Sequence, residues 1–435
     1  MAGKLIEVSV LGEARLRSPL DRTTTPGDGA AKFVPEDSRV RFPVETSLGG
    51  PLQEELLFEK AGAREKIFFD PKRTRAAIVT CGGLSPGLND VIRSVFLELN
   101  MNYGVPEVLG VRNGYQGLNA REGRPPLVLT LDIVDGIHQL GGTMLGTSRG
   151  EQAPAVMVDF LEDRAINVLF CVGGDGTQRG AHAIWEEVRR RGLGIAVVGI
   201  PKTIDNDILY CDRTFGFTTA VEQAQRVIDC AHVEAKGVSN GIALVKVMGR
   251  AAGYIAAAAT LASQEVNFTL VPEVPFQLCG DRGLLSVLRR RIIDRQHAVI
   301  VVAEGAGQHL FASCPAECDA SGNVKFQDIG LYLKKAILDY FAQHGPKVEM
   351  KYIDPSYIVR SVPANCEDGM LCDQYARRAV HAAMSGRTDV LVGLLSGAFV
   401  HVPIPMAVAE KRYVNVEGEL WASVLSATGQ PRKFG

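Results

Sequence analysis

Eight short, predominantly apolar runs with no alternating polar face lie between longer amphipathic stretches from position 75 to 397. The runs are 75-RAAIVT-80, 107-EVLGV-111, 167-NVLFCVG-173, 194-GIAVVGI-200, 241-GIALVKVM-248, 267-NFTLVPE-273, 297-HAVIVVAEG-305 and 389-DVLVGLLSG-397. Between them lie 177-TQRGAHAIWEEVRRRG-192, 217-FTTAVEQAQRVIDCAHVEA-235, 283-GLLSVLRRRIIDR-295 and 370-MLCDQYARRAVHAAMSG-386, which carry helical periodicity. A strand with no polar face needs cover on both sides, so the alternation predicts parallel sheets flanked by helices, an α/β chain. At 435 residues the chain exceeds one ordinary core. Two doubly wound parallel-sheet domains facing a cleft account for eight strands.

Residues 1–70 read differently. The stretch 16-LRSPLDRTTTPGDGAAKFVPEDS-38 has neither period and predicts an appended N-terminal segment. Lys+Arg 47 against Asp+Glu 49 leaves a net charge of −2, which argues for no nucleic-acid partner and no anionic membrane. No apolar run is long enough to span a bilayer. The nine cysteines are scattered, and Cys314 with Cys318 lacks a C-x-x-C zinc spacing, which fits a reduced cytoplasm.

Ligands of open α/β sheets bind beyond the carboxyl ends of the strands, and the polar clusters of this chain sit there. In 82-GGLSPGLND-90 the glycines allow close backbone approach before a helix N-terminus, although turn chemistry alone also explains them. In 173-GGDGT-177 glycines bracket one carboxylate, Asp175, which either caps a helix or holds Mg²⁺ among phosphates. No G-x-x-x-x-G-K-[ST] occurs, which excludes a P-loop. The stretch 201-PKTIDND-207 puts Asp205 and Asp207 on one side of an extended segment, a polar turn or else a general base with Lys202 and Thr203 beside a transferring phosphoryl group. Arg250 in 246-KVMGR-250, together with Lys351, Tyr357 and Arg360 in 351-KYIDPSYIVR-360, suits a phosphorylated acceptor, and Glu304 suits sugar hydroxyls.

The set of motifs resembles the 6-phosphofructokinases: 82-GGLSPGLN-89, 112-RNGYQGL-118, 141-GGTMLGTSR-149, 173-GGDGTQRGA-181, 201-PKTIDNDI-208, 214-TFGFTTAVEQA-224, 246-KVMGRAAG-253, 303-AEG-305 and 357-YIVR-360. The resemblance implies transfer of a phosphoryl group from MgATP to the 1-hydroxyl of fructose 6-phosphate, with Asp205 as base. Thr203, Ile204, Asp207, Met248, Gly249, Arg250, Glu304, Tyr357, Arg360 and Lys351 would line the sugar-phosphate site. Gly82, Tyr115, Arg149, Gly150, Gly173, Gly174, Gly176, Thr177 and Gly180 would line the ATP site, with Asp175 on Mg²⁺. It further implies an ATP-binding domain over 71–216 plus 363–410, a fructose 6-phosphate-binding domain over 217–362, a tail over 411–435, and a homodimer or homotetramer.

Two positions bear on the donor. Pyrophosphate-dependent members resemble this chain in having Lys at position 202 but carry Asp at position 176, whereas Gly176 leaves room for the rest of a nucleotide. The mixture is similar to the longer ATP-dependent branch related to the pyrophosphate enzymes. Lys351, Gly241 and Tyr357 depart from the common Arg, Arg and His, the first two being positions where a neighbouring subunit commonly binds the 6-phosphate. The insertion 306–328 further separates the chain from the short bacterial enzymes, so no regulator is carried over. Alternatives are a pyrophosphate-dependent phosphofructokinase, an NAD or lipid kinase with the same G-G-D-G-T turn, and a non-catalytic nucleotide-sensing subunit.

Overall fold

A computed structural model describes residues 3–44, 55–150, 152–311 and 325–435. Cys314, Cys318 and most of the 306–328 insertion lie outside them. The chain forms two compact units, one of Met1–Thr203, Ile208–Gly216 and Val362–Lys411, the other of Ile204–Asp207, Phe217–Ser361 and Arg412–Gly435.

The sheet of the first unit is built on five parallel neighbours, Val390–Leu395, Ala196–Pro201, Val168–Gly173, Arg75–Thr80 and Glu107–Val111, in that order. Side chains of a strand alternate between faces, and here the two faces fill two separate cores. Ala76, Ile78, Phe170 and Val198 pack under helices Leu88–Leu97 and Cys366–Met384. Ala77, Val79, Leu169 and Val197 pack under Pro154–Asp163 and Asp175–Arg190. Both sides are thus covered, as apolar strands require.

The rim departs from the all-parallel expectation. Ala398–Pro403 turns back antiparallel on Val390–Leu395, and Leu56–Lys60 and Arg39–Phe42 continue antiparallel from it. The reversal is a two-residue turn at Ser396 and Gly397, both at positive φ (48° and 82°), the hairpin geometry matched to strand twist. Strands of the N-terminal segment thus extend the first unit's sheet, while Leu16–Arg17 and Lys66–Ile67 pair in a small sheet of their own. Arg64, buried at 1% exposure, secures the segment by donating to the Val34, Pro35 and Lys60 carbonyls and to Glu59.

The second unit has four parallel strands in the order Phe268–Leu270, His297–Ala303, Gly241–Val247, Glu349–Ile353. Helix Phe217–Lys236 covers them with Ala220, Ala224, Ile228, Ala231 and Ala235, a stripe at helical spacing. Two boundaries differ from expectation. Residues 204–207 belong to this unit, because Ile204 is buried in its core. The 411–435 tail is also part of it from Arg412 onward, because Trp421, Val424 and Phe434 fill the same core.

Candidate active site

In the first unit the chain leaves Arg75–Thr80 for Glu107–Val111 and then returns to pair Val168–Gly173 on the opposite side of Arg75–Thr80. Connections from these neighbours diverge, which opens a crevice at their carboxyl ends. Gly82, at φ +82°, starts the first turn, and its carbonyl accepts from Thr147 Oγ1 at 2.7 Å while its amide donates to the Ser148 carbonyl at 3.2 Å. These bonds hold the 141–150 loop, with exposed Arg149 and Gly150 at its end, against the Gly82 turn. Lys202 follows Ala196–Pro201, is buried at 5% exposure, and donates from Nζ to the Gly83 carbonyl at 2.6 Å.

Asp175 is the first residue of helix Asp175–Arg190, one past the cap position at Gly174. Its Oδ2 lies 3.5 Å from Lys411 Nζ and 3.9 Å from an Arg179 guanidinium nitrogen. Next to it, a Cβ at Gly176 would meet nothing within 4 Å, and Gly176 is not at positive φ, so packing does not require glycine there. At Gly173 packing does require it, since a Cβ would stand 2.1 Å from Thr177 Oγ1. Tyr115 and Gly180, expected to line a nucleotide site, pack against each other beneath the turn that carries Thr177. The buried Tyr115 hydroxyl donates to the Thr177 carbonyl at 2.6 Å, and its ring occupies the space a Gly180 Cβ would take at 2.5 Å. Gln178, fully buried, had no sequence signal; its Nε2 donates to the Cys171, Gly173 and Ile200 carbonyls and ties the ends of two strands together.

In the second unit the chain leaves Gly241–Val247 toward Phe268–Leu270 and leaves the adjacent His297–Ala303 toward Glu349–Ile353, a second switch point. Gly249 (φ +140°) and Arg250 (φ +47°) form the turn beyond the first of these strands. Left-handed backbone is costly for arginine, and Glu304 from the next strand end holds it, accepting the Arg250 amide at 2.9 Å. That turn brings Arg250 Nε to 3.9 Å from Asp205 Oδ2, and Asp205 is 8% exposed. Met248 is half-buried on the core behind them. Ile204 points into that core, so it anchors Asp205 and offers a ligand only its backbone.

Asp207 is buried, and its carbonyl accepts the Arg412 amide at 2.9 Å. The Arg412 guanidinium lies 4.9 Å over the Tyr254 ring. Burial pushes the Tyr254 phenol up, against the opposing charge of Arg412. Glu273 accepts the Gly253 and Val414 amides, both at 2.9 Å, and links this turn to the C-terminal segment. Tyr357 is 74% exposed with Arg360 5.2 Å over its ring, on the short helix Ile358–Ser361. Lys351 is not brought to this cluster within its own chain. It is exposed on an edge strand opposite Ala243, four residues short of the strand end at Val247 (247 − 243 = 4). Lys246 is also occupied elsewhere: burial works against its charge, but Asp354 at 2.8 Å and Asp328 at 3.0 Å hold its ammonium above the usual lysine range.

No group of three or more His, Cys, Asp or Glu side chains converges as a metal cage among the described residues. A lone carboxylate beside a glycine-rich turn nevertheless fits Mg²⁺, which keeps waters and takes one or two carboxylates plus substrate phosphates. Asp175 is the residue that would hold it. Among the described residues no helix is long and apolar enough to cross a membrane.

Residues 75–383 match the phosphofructokinase family. The chain is 48% identical over 432 residues to the ATP-dependent 6-phosphofructokinase of Borreliella burgdorferi, covering 98% of this chain and 96% of that one. It is 47% identical to ATP-dependent 6-phosphofructokinase 7 of Arabidopsis thaliana, over 93% and 82% of the two chains. The ATP-dependent 6-phosphofructokinase of Amycolatopsis methanolica is 44% identical, over 99% and 96%. Among solved structures, a pyrophosphate-dependent phosphofructokinase from Marinobacter aquaeolei superposes with a TM-score of 0.67 at 19% identity, over 82% of this chain and 91% of that one, a likeness of fold alone.

Proposed function

Because the chain belongs to the phosphofructokinase family, we propose that it transfers the γ-phosphoryl group of ATP to the 1-hydroxyl of fructose 6-phosphate, yielding fructose 1,6-bisphosphate and ADP. The observation that carries this reading is the pairing of Asp205 with Arg250 at 3.9 Å: a carboxylate able to take the hydroxyl proton stands next to a guanidinium able to meet the incoming phosphoryl charge. Asp205 accepts the proton as the sugar oxygen attacks. Arg250, with Lys202 and Thr203, offsets charge on the transferring group, and phosphoryl transfer needs such positioning more than covalent help. Glu304 fixes the Arg250 backbone and Met248 backs it, while Arg360 and Tyr357 supply donors for the sugar phosphate. Mg²⁺, when bound, would neutralise charge on the donor phosphates, and Asp175 is the residue that would hold it.

ATP as donor is supported by the space at Gly176. Glycine is a poor helix former, by up to about 1 kcal/mol relative to alanine in a helix interior, and no packing contact or positive φ at this position demands it. An aspartate there would put a like charge where the donor's inner phosphates belong. The test is a coupled assay with ATP or pyrophosphate as sole donor: turnover with ATP is expected, and turnover confined to pyrophosphate overturns the assignment.

A homo-oligomeric, cytoplasmic enzyme completes the proposal. Exposed Tyr357, Ile358 and Leu331 support a subunit contact, and exposed Lys351 suits a role toward a neighbouring copy. Light scattering of the purified chain reads the assembly directly.

A further inference from the structure

Lys411 ends the last segment of the first unit, and its Nζ lies 3.5 Å from Asp175 Oδ2. Its side chain is 27% exposed, and its backbone is fixed by an antiparallel bridge to Ile208. The next amide, that of Arg412, is bonded to the Asp207 carbonyl. The main chain at Lys411 is therefore held on both sides, which fixes where its side chain starts, and the ammonium ends 3.5 Å from the carboxylate. A second cation near Asp175, Arg179, is 56% exposed, sits farther off at 3.9 Å, and belongs to the same helix at a spacing whose pairs contribute little.

We propose that Lys411 is the built-in counter-ion of Asp175, which makes this carboxylate a poor site for a bare divalent cation and a good one for a cation that arrives on a polyphosphate. The proposal rests on the donor site described above. A bare cation approaching Asp175 meets an ammonium of like charge in a largely buried setting, where screening is weak. A cation carried by a triphosphate brings anionic oxygens, which are strong acceptors for an ammonium. Lys411 then exchanges the carboxylate for a phosphate oxygen and is never left unpaired. It thereby has two roles: beside Asp175 it disfavours the metal-only complex, and with the donor bound it is a phosphate-binding residue.

The test reads metal binding without turnover. Mn²⁺ is titrated into the nucleotide-free protein and unbound Mn²⁺ is measured by electron paramagnetic resonance, for the wild type, Lys411→Met, Lys411→Arg and Lys411→Met combined with Asp175→Asn. Lys411→Met is expected to bind Mn²⁺ about tenfold more tightly than wild type, and Lys411→Arg, which keeps the charge, to match wild type. The double variant is expected to lose the gain. Calorimetry with the magnesium complex of ATP is expected to show the opposite change, about tenfold weaker binding in Lys411→Met. Unchanged or weaker Mn²⁺ binding in Lys411→Met overturns the proposal, as does a gain that survives in the double variant. Turnover with pyrophosphate alone would sink the donor assignment yet leave the Mn²⁺ result standing, since that result is read without nucleotide.

Discussion

Asp175 and Asp205 each stand beside a cation, and the cation differs in what fixes it. Arg250 reaches Asp205 because Glu304 locks its amide in a left-handed turn, so the pair is set by the backbone of one strand end. Replacing Asp205 with Asn preserves the shape and removes the carboxylate proposed as base. We expect kcat to fall by about 10²-fold or more, with nucleotide affinity by calorimetry within about twofold of wild type. An unchanged kcat would remove the base role. Both aspartates were legible in the sequence because each follows an apolar run that could only be a buried strand. Lys411, Gln178 and Glu273 were not, because what makes them matter is spatial: Lys411 is 236 positions from Asp175 (411 − 175 = 236), and nothing in its neighbourhood marks it. Tyr115 and Gly180 sit in the right motifs, but they fill each other's space behind the loop.

At the scale of elements, the eight apolar runs correspond to eight strands, with ends shifted by a few residues. The antiparallel rim was missed because the last run was ended at Gly397 and the apolar residues after it, 398–403, were assigned to no strand, although Ser396 and Gly397 at positive φ turn the chain straight back into one. The edge strand Glu349–Ile353 was missed for the opposite reason, its half-exposed pattern resembling a loop. Two glycines test whether the strand ends do separate work. A Cβ at Gly199 would lie 2.1 Å from Gln178 Oε1, disturbing the amide that holds the Gly173 carbonyl; at Gly305 it would lie 2.0 Å from the Arg250 carbonyl. Each alanine substitution is expected to cost about 1–3 kcal/mol of stability. Steady-state kinetics should separate them: Gly199→Ala raises KM for ATP more than for fructose 6-phosphate, and Gly305→Ala does the reverse. Equal effects on both constants would mean that the strand ends are not dedicated to separate substrates.

At the scale of the molecule, the N-terminal 70 residues earn their place through buried charge. Glu59 Oε1 accepts from Arg64 at 2.8 Å, Arg387 at 2.8 Å and His401 at 2.9 Å, joining segments hundreds of positions apart. Burial would push the Glu59 carboxyl up, but the hydrogen bond from His401 and the charges of Arg387 and Arg64 outweigh it and hold it well below the usual carboxylate range. A carboxyl depressed in the folded state stabilises above its ordinary value of 4.5 and loses that contribution as pH falls below it. Glu59→Gln is therefore expected to cost about 3–5 kcal/mol near neutral pH, with the gap to wild type in chemical denaturation narrowing below pH 4.5. A gap that stays constant with pH would show that the charge is not what stabilises. The 201–207 stretch has a further consequence at this scale. The boundary between units falls inside it, after Thr203, so three peptide links join Lys202 to Asp205 and their Cα atoms cannot be more than about 11 Å apart. That limit is covalent, so no substitution elsewhere in either unit can lengthen it.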